Sequence, residues 1–354
     1  MKIAIILSDN VYVTPYLTFY INILEKAGID YIVIYWDKSN SESISDNRYF
    51  RFTFNNSGKF ARAAGYFAFR QVILNLLKAK KIDFIISLHS QVAALLVDKL
   101  VCNYKHRYIY DIRDYSYEKF YAFRMIQRKL VKHSCLNIIS SLGYKSFLPN
   151  ATYWVCNNVP PLLDPNYKQY ENWNDEKIVI SYIGSIRFME QNKKIIRFFK
   201  NDARFHLNFI GRNALKLKNF CEQNDIQNIT LIDEFKSADT LKFYLKTDMI
   251  MNLYGNHDPL LDYALSNKLY YAAYLYKPIL VCKDTYMERI TNQFKLGMSL
   301  SLDDEKERDD LYNYYKNLNR KKFIYTCDAF WRTIEMENEK LRRKIFSELV
   351  KSKR

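Results

Sequence analysis

The first half of the chain alternates short, nearly continuous apolar runs with longer amphipathic segments. The apolar runs are typical of buried parallel strands, and amphipathic segments such as residues 16–27, which end before Gly28, are typical of helices. The predicted strands are KIAIILS (2–8), DYIVIYW (30–36), DFIISLH (83–89), RYIYDIRD (107–114) and CLNIISS (135–141). Strands and helices that alternate in this way predict a doubly wound, parallel α/β sheet.

A proline-rich break separates this half from a second half with the same pattern. Three of the seven prolines lie within residues 157–165, which predicts a linker between domains. Beyond it, the predicted strands are KIVISYIG (177–184), HLNFIG (206–211), NITLID (228–233), DMIMNLY (248–254) and PILVC (278–282). A chain of 354 residues is longer than one hydrophobic core usually serves, so two α/β domains are expected.

The predicted organisation is two Rossmann-like domains followed by one more helix at about residues 328–350. The predicted boundaries are 1–158 for the first domain, 159–175 for the linker, 176–327 for the second domain and 328–354 for the C-terminal helix. Ligands of such sheets bind outside the carboxyl ends of the strands. A two-domain form is therefore expected to hold its site in the cleft between the domains.

The composition excludes several classes of protein. A hydrophobic fraction of 49% and a charged fraction of 26% are those of a folded chain. No apolar run is long enough to span a bilayer, and six scattered cysteines without metal spacing predict a reduced, cytoplasmic protein with no metal site. Only 8 glycines are present, where average usage would give about 25, and this argues against a long glycine-rich phosphate loop.

The net charge is +16, and the first half is the more basic, since residues 1–160 carry 21 basic and 11 acidic side chains. Two amphipathic segments, 59–81 and 119–132, mix aromatic and aliphatic side chains with Lys and Arg. Such helices bind anionic membrane surfaces; the alternative is that each packs its apolar face on the core and solvates its charges. No RRM, KH, zinc-finger or helix-turn-helix motif is present, so no nucleic-acid partner is expected.

The sharpest local motif is SNKLYYAAYLYKPILV, which covers residues 266–281. Ser266 is a predicted helix N-cap, and Lys268 adds a positive charge to the first turn. The backbone amides expected to point out of that turn are those of Asn267, Lys268 and Leu269. Together these groups predict a diphosphate site. The alternative is an ordinary capped helix with an exposed lysine.

Two glycine turns follow predicted strands of the same domain. Gly184 and Ser185 come directly after VISYI, and Arg187 lies two residues further on. The glycine lets the backbone approach a ligand closely, and the arginine can bind phosphate oxygens in bidentate fashion. Gly211, after HLNFI, is a similar but weaker signal. The alternative is a tight turn with a surface arginine.

Acidic side chains end a predicted strand of the first domain. Asp111 and Asp114 are candidates for acid–base catalysis or for binding a hydroxyl group. His89 ends the preceding predicted strand, at the same edge of the sheet, and is a third catalytic candidate. The alternatives are a surface Asp–Arg–Asp ion network and a structural histidine.

Several familiar motifs are absent: the sequence has no P-loop, no G-x-G-x-x-G, no G-x-S-x-G and no metal-ligand cluster. The motifs present resemble those of GT-B glycosyltransferases of the family 4 type, specifically the bacterial capsule, exopolysaccharide and O-antigen enzymes. The resemblance covers nearly the whole chain. The stretch YIGSIR (182–187) resembles the first turn of that family's donor domain. The stretch LSNKLYYAAYLYKPILV (265–281) resembles its P-S-K-L-F-E-Y-x-A-x-G-K-P-I-I block.

The first domain and the chain end also contribute to the resemblance. Asp111–Asp114 resembles the D-I-R-D strand end of the acceptor domain, and SLGYKSFLP (141–149) resembles the segment that ends in Leu-Pro. VCNNVP (155–160) resembles the interdomain linker. The helix with Phe330 and Trp331 resembles the one that crosses back onto the first domain.

The resemblance implies a GT-B fold, with two Rossmann-like domains facing a cleft. It implies that Lys268, Arg187 and the amides after Ser266 hold the diphosphate of a nucleotide-sugar donor, without a metal or another cofactor. It implies a lipid-linked saccharide acceptor on the first domain and retention of the anomeric configuration. The expected location is the inner face of the cell membrane, where the protein would be peripherally bound.

One departure from the family pattern affects the donor site. The family's Glu-x7-Glu pair corresponds to Tyr263 and Tyr271 here, and a tyrosine cannot supply the carboxylate that binds the ribose. Asp258 and Asp262 lie nearby as potential substitutes. Two other functions therefore stay open: a GT-B sugar-nucleotide epimerase, and a non-catalytic GT-B partner subunit, for which Tyr271 is the main argument.

Overall fold

The computed structural model describes residues 1–54, 58–160 and 176–352. They form two compact units, which we call the first unit (1–160 with 336–352) and the second unit (176–335). Each unit is built around one parallel sheet. The predicted linker, 159–175, lies outside the described residues from position 161 onward.

The described part of the first unit contains a seven-stranded parallel sheet covered by helices. Its strands are β1 (Lys2–Leu7), β2 (Asp30–Trp36), β3 (Tyr49–Phe52), β4 (Phe84–Leu88), β5 (Tyr108–Ile112), β6 (Leu136–Ile139) and β7 (Trp154–Val155). Its helices are α1 (Leu17–Lys26), α2 (Lys59–Ala79), α3 (Ser90–Leu95), α4 (Val97–Cys102) and α5 (Tyr121–His133). The strand order 3-2-1-4-5-6-7 reverses between β1 and β4, which is the position where such sheets bind ligands.

The described part of the second unit has a six-stranded parallel sheet with the same order of connections. Its strands are β8 (Ile178–Ile183), β9 (Phe205–Ile210), β10 (Ile229–Ile232), β11 (Met249–Asn252), β12 (Ile279–Cys282) and β13 (Gly297–Leu300). Its helices are α6 (Met189–Phe198), α7 (Lys218–Gln223), α8 (Thr240–Leu245), α9 (Pro259–Asp262), α10 (Asn267–Tyr274), α11 (Tyr286–Gln293) and α12 (Lys306–Lys316). The order is 10-9-8-11-12-13, so the reversal lies between β8 and β11.

The central strands are buried on both faces, which explains their nearly continuous apolar sequences. Every residue from Ile3 to Leu7 is fully buried, since helices cover both sides of β1. Burying one such side chain contributes about 1.5–3 kcal/mol. The sheet is thereby a rigid base for the loops at its carboxyl edge, where the candidate site residues lie.

A long final helix, α13 (Arg320–Lys351), contributes to both cores. Phe330 packs against Tyr270 and Phe294 of the second unit, with ring centroids 6.0 and 5.1 Å away. Leu341, Ile345 and Leu349 are buried in the core of the first unit. The predicted C-terminal helix is therefore present, and it begins at Arg320 rather than near residue 328.

The sequence patterns did not predict three of the edge strands or the division of one helix into two. Strands β3, β7 and β13 are at the edges of their sheets and are mostly half-buried, so they lack the apolar runs of the central strands. Between β4 and β5, where the alternation of strands and helices predicts one helix, the structure has two short helices that meet at Leu96.

Candidate functional site

Two glycines bring two strand ends of the second unit into close contact. Gly184 follows β8 with φ +124°, and Gly211 follows β9 with φ +127°. A Cβ atom at Gly211 would lie 2.1 Å from the carbonyl oxygen of Gly184. Only glycine fits there, both because of this contact and because of the backbone angle. The two turns after β8 and β9 therefore lie against each other with no side chain between them.

Ser266 caps α10, but the cap uses two of the amides that were expected to be free. The Lys268 N–H donates to the Ser266 hydroxyl at 3.2 Å, and the Leu269 N–H donates to the Ser266 carbonyl at 3.1 Å. Among the described residues, only the Asn267 N–H of the three has no hydrogen-bond partner. The expectation of three outward amides is therefore wrong, because the cap itself occupies two of them.

Lys268 is buried, with only 5% of its surface exposed, so the alternative of an exposed lysine is also wrong. Its ammonium donates to the Ile183 carbonyl at 2.6 Å. The same group lies 5.0 Å from the ring centroid of Tyr182 and 5.6 Å from that of Tyr254. Burial lowers the pKa of Lys268 to about 8. In the described part of the chain, no carboxylate pairs with this cation.

Arg187 supplies a second cation, and its guanidinium has no hydrogen-bond or ion-pair partner among the described residues. The side chain is exposed, and its positive charge helps to lower the pKa of Lys268. The turn that carries it is fixed by Tyr182, whose hydroxyl accepts from the Arg187 N–H at 3.3 Å and donates to the Ser185 carbonyl at 2.9 Å. Two cations therefore lie near the end of β8, and neither forms an ion pair within the described residues.

The positions of the missing glutamates are filled by tyrosines. Tyr271 is buried and stacks on Tyr244, with ring centroids 4.6 Å apart. Of the two proposed substitutes, Asp258 accepts the Leu260 N–H as the cap of α9 and is thus engaged. Asp262 has a buried Oδ1 atom without a hydrogen-bond partner in the described residues.

The first unit places Asp111 in a buried ion pair. Its Oδ2 accepts hydrogen bonds from Arg113 at 2.6 Å and from the Tyr20 hydroxyl at 2.5 Å. Both charged side chains are nearly inaccessible to solvent, at 0% and 3% exposure. Burial raises the pKa of Asp111, although Arg113 opposes the shift. The surface ion network considered as an alternative is therefore wrong for this pair, because the two side chains lie in the interior.

His89 and Asp114 line one small cavity of about 110 Å³ at the carboxyl edge of the sheet. The other residues around the cavity are Ser8, Asp9, Lys38, Tyr66, Ser90, Gln91, Arg113 and Ser116. Asp114 is exposed, whereas Asp111 lies below in the interior. His89 and Asp114 therefore line one accessible cavity, whereas Asp111, the third predicted catalytic residue, does not line it.

The backbone of His89 is strained. Its φ of 79° and ψ of 137° lie outside the regions that residues with a side chain prefer, and such a conformation costs about 1–3 kcal/mol. The imidazole contacts the Ser8 hydroxyl through Nδ1 at 3.4 Å and the Tyr16 hydroxyl through Nε2. Burial lowers the pKa of His89 to about 4, so the ring is neutral at pH 7.

Helix α5 presents one exposed face that is aromatic at one end and basic along its length. Its exposed side chains include Tyr121, Arg124, Met125, Arg128 and Lys132, which recur at helical spacing, and Phe120 precedes them with 54% exposure. The opposite face packs inward through Phe123, Leu130 and Val131. One apolar face of α5 is thus packed on the core, as the packing alternative for this segment expects. The helix also exposes large apolar side chains to solvent, as the membrane alternative expects.

Two features are absent from the described residues, a membrane-spanning helix and a metal-binding cluster. No helix there is both long and apolar enough to cross a bilayer. No group of three or more His, Cys, Asp and Glu side chains in that part of the chain is arranged to hold a metal ion.

Sequence reasoning missed several residues that shape these sites. Tyr182 and Tyr254 flank the ammonium of Lys268. In the first unit, Tyr16 contacts His89, and its ring centroid lies 3.9 Å from the guanidinium of Arg113. In a chain with 30 tyrosines, residue type alone does not single them out. The one available signal for Tyr182 was its place directly before Ile183-Gly184.

Comparison with known proteins finds matches to the structure of this chain but none to its sequence. The sequence matches no protein-family model and no curated protein significantly. The structure is similar to sucrose-phosphate synthase of Thermosynechococcus elongatus, with a TM-score of 0.71, 9% identity and coverage of 98% of this chain and 99% of that chain. It is also similar to Anabaena HepE in complex with UDP-glucose, with a TM-score of 0.69, 12% identity and coverage of 98% and 100%.

A third similar structure is WaaG, a glycosyltransferase involved in lipopolysaccharide biosynthesis. The TM-score is 0.64, the identity is 11%, and the match covers 96% of this chain and 98% of that chain. At such identities the similarity establishes the fold. The chain therefore has the GT-B fold class predicted from its sequence, with two Rossmann-like domains and a C-terminal helix.

Proposed function

We propose that this chain is a glycosyltransferase that moves a sugar from a nucleotide-sugar donor to a lipid-linked saccharide acceptor. We further propose that it retains the anomeric configuration, needs no metal ion, and works in the synthesis of a bacterial surface polysaccharide. Among proteins of similar structure, HepE has been solved with UDP-glucose and WaaG is involved in lipopolysaccharide biosynthesis.

The observation that carries the proposal is the pair of uncompensated cations in the second unit. Lys268 is buried beside the backbone of Ile183 and Gly184, and the exposed guanidinium of Arg187 has no partner in the described residues. Burying a cation without an acid is costly unless an anion joins it. A diphosphate supplies that anion, and the open glycine backbone leaves room for it.

These residues account for catalysis without a metal ion. When the bond between the sugar's anomeric carbon and the diphosphate oxygen breaks, negative charge grows on the leaving diphosphate. Lys268, Arg187 and the positive end of α10 are placed to stabilise that charge. The anomeric carbon then bonds to the acceptor oxygen, whose proton passes to the leaving diphosphate or to a carboxylate of the first unit.

The donor site is tested by titrating UDP-, GDP- and CMP-sugars while the melting temperature is followed. A ligand at 100 times its Kd stabilises the folded protein by about 2.7 kcal/mol, which gives a clear shift. We expect one nucleotide class to stabilise the protein. If no nucleotide sugar shifts the melting temperature at millimolar concentration, the proposed donor site is wrong.

The acceptor is assigned to the cavity of His89 and Asp114 in the first unit. The carboxylate of Asp114 is accessible there, so it is the proposed group that binds or deprotonates the acceptor hydroxyl. We expect Asp114→Asn to reduce single-turnover rates by about 100-fold or more while donor affinity changes little. An unchanged rate with acceptor present would remove Asp114 from the mechanism.

Membrane binding is assigned to the first unit, through the exposed face of α5. Basic residues near an anionic leaflet contribute roughly 1 kcal/mol each, and the exposed aromatic side chains add to this. Reversing Arg124, Arg128 and Lys132 to Glu is expected to release the protein from anionic vesicles without changing donor binding. Lack of flotation of the unmodified protein with such vesicles at low salt would contradict the assignment.

A non-catalytic partner subunit is the second candidate, and Tyr271 is the observation that favours it. This tyrosine stacks on Tyr244 where the family places a ribose-binding carboxylate. A subunit that has lost the donor site is expected to show no stabilisation by any nucleotide sugar. The same titration therefore separates the two candidates.

A further inference from the structure

A cavity of about 650 Å³ lies on the first unit, away from the residues assigned to acceptor binding. Its lining comes from the end of α5, the start of β6, the loop before β7 and helix α13. The lining residues are Arg128, Val131, Lys132, Cys135, Leu136, Asn137, Pro149, Asn150, Ala151, Thr152, Trp154 and Lys344. We call this cavity the α5–β6 pocket.

The α5–β6 pocket is at the opposite edge of the sheet from His89 and Asp114. Leu136 begins β6, and Thr152 precedes β7, so the pocket lies at the amino ends of these parallel strands. His89 follows the carboxyl end of β4, and Asp114 follows the carboxyl end of β5. A ligand in the pocket would therefore not compete for the cavity proposed to take the acceptor.

The charges of the lining are all positive. Arg128, Lys132 and Lys344 line the pocket, and none of the lining residues is acidic. In the described structure, Arg128 contacts only the sulfur of Met125 through its guanidinium, and Lys132 has no ion-pair partner. Lys344 pairs with Glu348 at 2.8 Å, a carboxylate that does not line the pocket.

Neutral groups complete a lining suited to a phosphate. Asn150 and Thr152 offer side-chain donors, and Trp154 forms an apolar wall whose ring centroid lies 5.9 Å from the Lys344 ammonium. The partial negative charge at the carboxyl end of α5 opposes an anion, but the two positive charges of Arg128 and Lys132 outweigh about half a unit. Since Arg and Lys are the usual partners of phosphate oxygens, the lining matches that group.

We propose that the α5–β6 pocket binds a phosphate group, as a phosphomonoester or a phosphodiester. The group can come from a phospholipid headgroup or from a soluble phosphorylated molecule. Arg128 and Lys132 lie on the exposed face of α5 that is proposed to meet the membrane, which favours the headgroup. That choice of source rests on the proposed function, whereas phosphate binding itself does not.

The proposal is tested by calorimetric titration of the full chain with inorganic phosphate and with glycerol phosphate at constant ionic strength. Titration with chloride is the blank. The pocket variant is Arg128→Gln with Lys132→Gln. Its matched control, Arg212→Gln with Lys216→Gln, removes one Arg and one Lys from exposed positions of the second unit, outside the pocket and outside helix α5.

We expect saturable binding by the unmodified protein and by the control, and at least about tenfold weaker binding by the pocket variant. Lys344→Gln is expected to weaken binding as well. Because all these side chains are on the surface, the variants are expected to melt at the same temperature. Absence of saturable binding, or equal binding by pocket and control variants, overturns the proposal.

Vesicles distinguish the two sources of the phosphate group. Phosphatidylcholine vesicles with and without phosphatidylglycerol are compared for the same three proteins. If only the pocket variant loses the vesicle binding that depends on phosphatidylglycerol, the phosphate group comes from a phospholipid headgroup. Equal vesicle binding with weakened glycerol phosphate binding supports a soluble ligand. Nucleotide-sugar binding, measured in parallel, stays unchanged in every variant, so a failure of the donor site is recognised separately.

Discussion

The two units each bury a cation near the carboxyl end of a parallel sheet, but they surround it differently. In the first unit, Arg113 follows β5 and pairs with Asp111 at 2.6 Å. In the second unit, Lys268 meets a carbonyl oxygen at the end of β8 and the faces of Tyr182 and Tyr254. An acid neutralises the charge of Arg113, whereas no acid among the described residues neutralises that of Lys268.

Under the proposed function, this difference distinguishes a structural cation, Arg113, from one that binds a ligand, Lys268. A buried pair holds its partners in place, and its members have little to gain from a further anion. An uncompensated buried cation has a lowered pKa and gains stability when an anion arrives, which is typical of functional sites. The comparison fits the proposed function, in which Lys268 binds the donor diphosphate and Arg113 holds Asp111 in place.

The largest expected effect is on stability, when the first unit's pair is broken. Arg113→Met leaves Asp111 as a buried, unpaired carboxylate, and such a loss costs about 3–5 kcal/mol. Urea denaturation at pH 7 measures it. Lys268→Met is not expected to lower stability, because it removes a buried charge and no acid loses its partner.

The matched control for this pair is the double change Arg113→Met with Asp111→Leu. It removes both charges and is expected to recover part of the stability lost by Arg113→Met. If Lys268→Met proves as destabilising as Arg113→Met, the proposed contrast between the two cations is wrong.

A smaller effect is expected on donor affinity, when the second unit's cations are removed one at a time. Lys268→Ala and Arg187→Ala each delete a charge-assisted contact to phosphate worth about 1.5–3 kcal/mol, or roughly 10- to 150-fold in Kd. Calorimetric titration with the nucleotide sugar that stabilises the protein measures this. Arg212→Ala is a control, since it removes an exposed arginine after the neighbouring strand β9. Donor affinity unchanged in both site variants would falsify the assignment.

The pH dependence of donor binding sharpens the same comparison. Burial lowers the pKa of Lys268 to about 8 in the unliganded protein, so its positive charge is lost as the pH rises above that value. Donor affinity is expected to fall above about pH 8, by up to tenfold per pH unit while the lysine titrates. Lys268→Met should bind weakly and with a flat profile over this range. A sloping profile in that variant would assign the titration to another group.

Folding stability is expected to depend on the protonation of the same lysine, but to rise with pH where donor affinity falls. The pKa of this lysine is lower in the folded chain than in the unfolded chain, where it has its ordinary value near 10.4. Between the two values the unfolded chain binds more protons. The contribution of Lys268 to the free energy of unfolding therefore rises with pH in that window.

The sequence predicted the elements that depend on local patterns. The buried strands, the Ser266 cap and the glycine after β8 follow from short-range periodicity and residue type, and the structure contains them. The burial of Lys268 was not predictable in this way, because its partner Ile183 is 85 residues away along the chain. Likewise the Tyr20 hydroxyl meets Asp111 across 91 residues, so the inward position of that carboxylate needed the tertiary fold.

The smallest expected effect concerns Tyr271, the residue that occupies the family's glutamate position. Its hydroxyl has no hydrogen-bond partner among the described residues, and its ring is held by stacking on Tyr244. Tyr271→Phe keeps the ring and is expected to leave stability and donor affinity within about 0.5 kcal/mol of the unmodified protein. The same calorimetric titration measures the affinity, and Tyr244→Phe is the matched control on the other ring of the stack. A tenfold loss of affinity in Tyr271→Phe alone would show that this hydroxyl contacts the donor in place of the carboxylate. The second unit would then bind its ligand through a neutral oxygen as well as through Lys268 and Arg187.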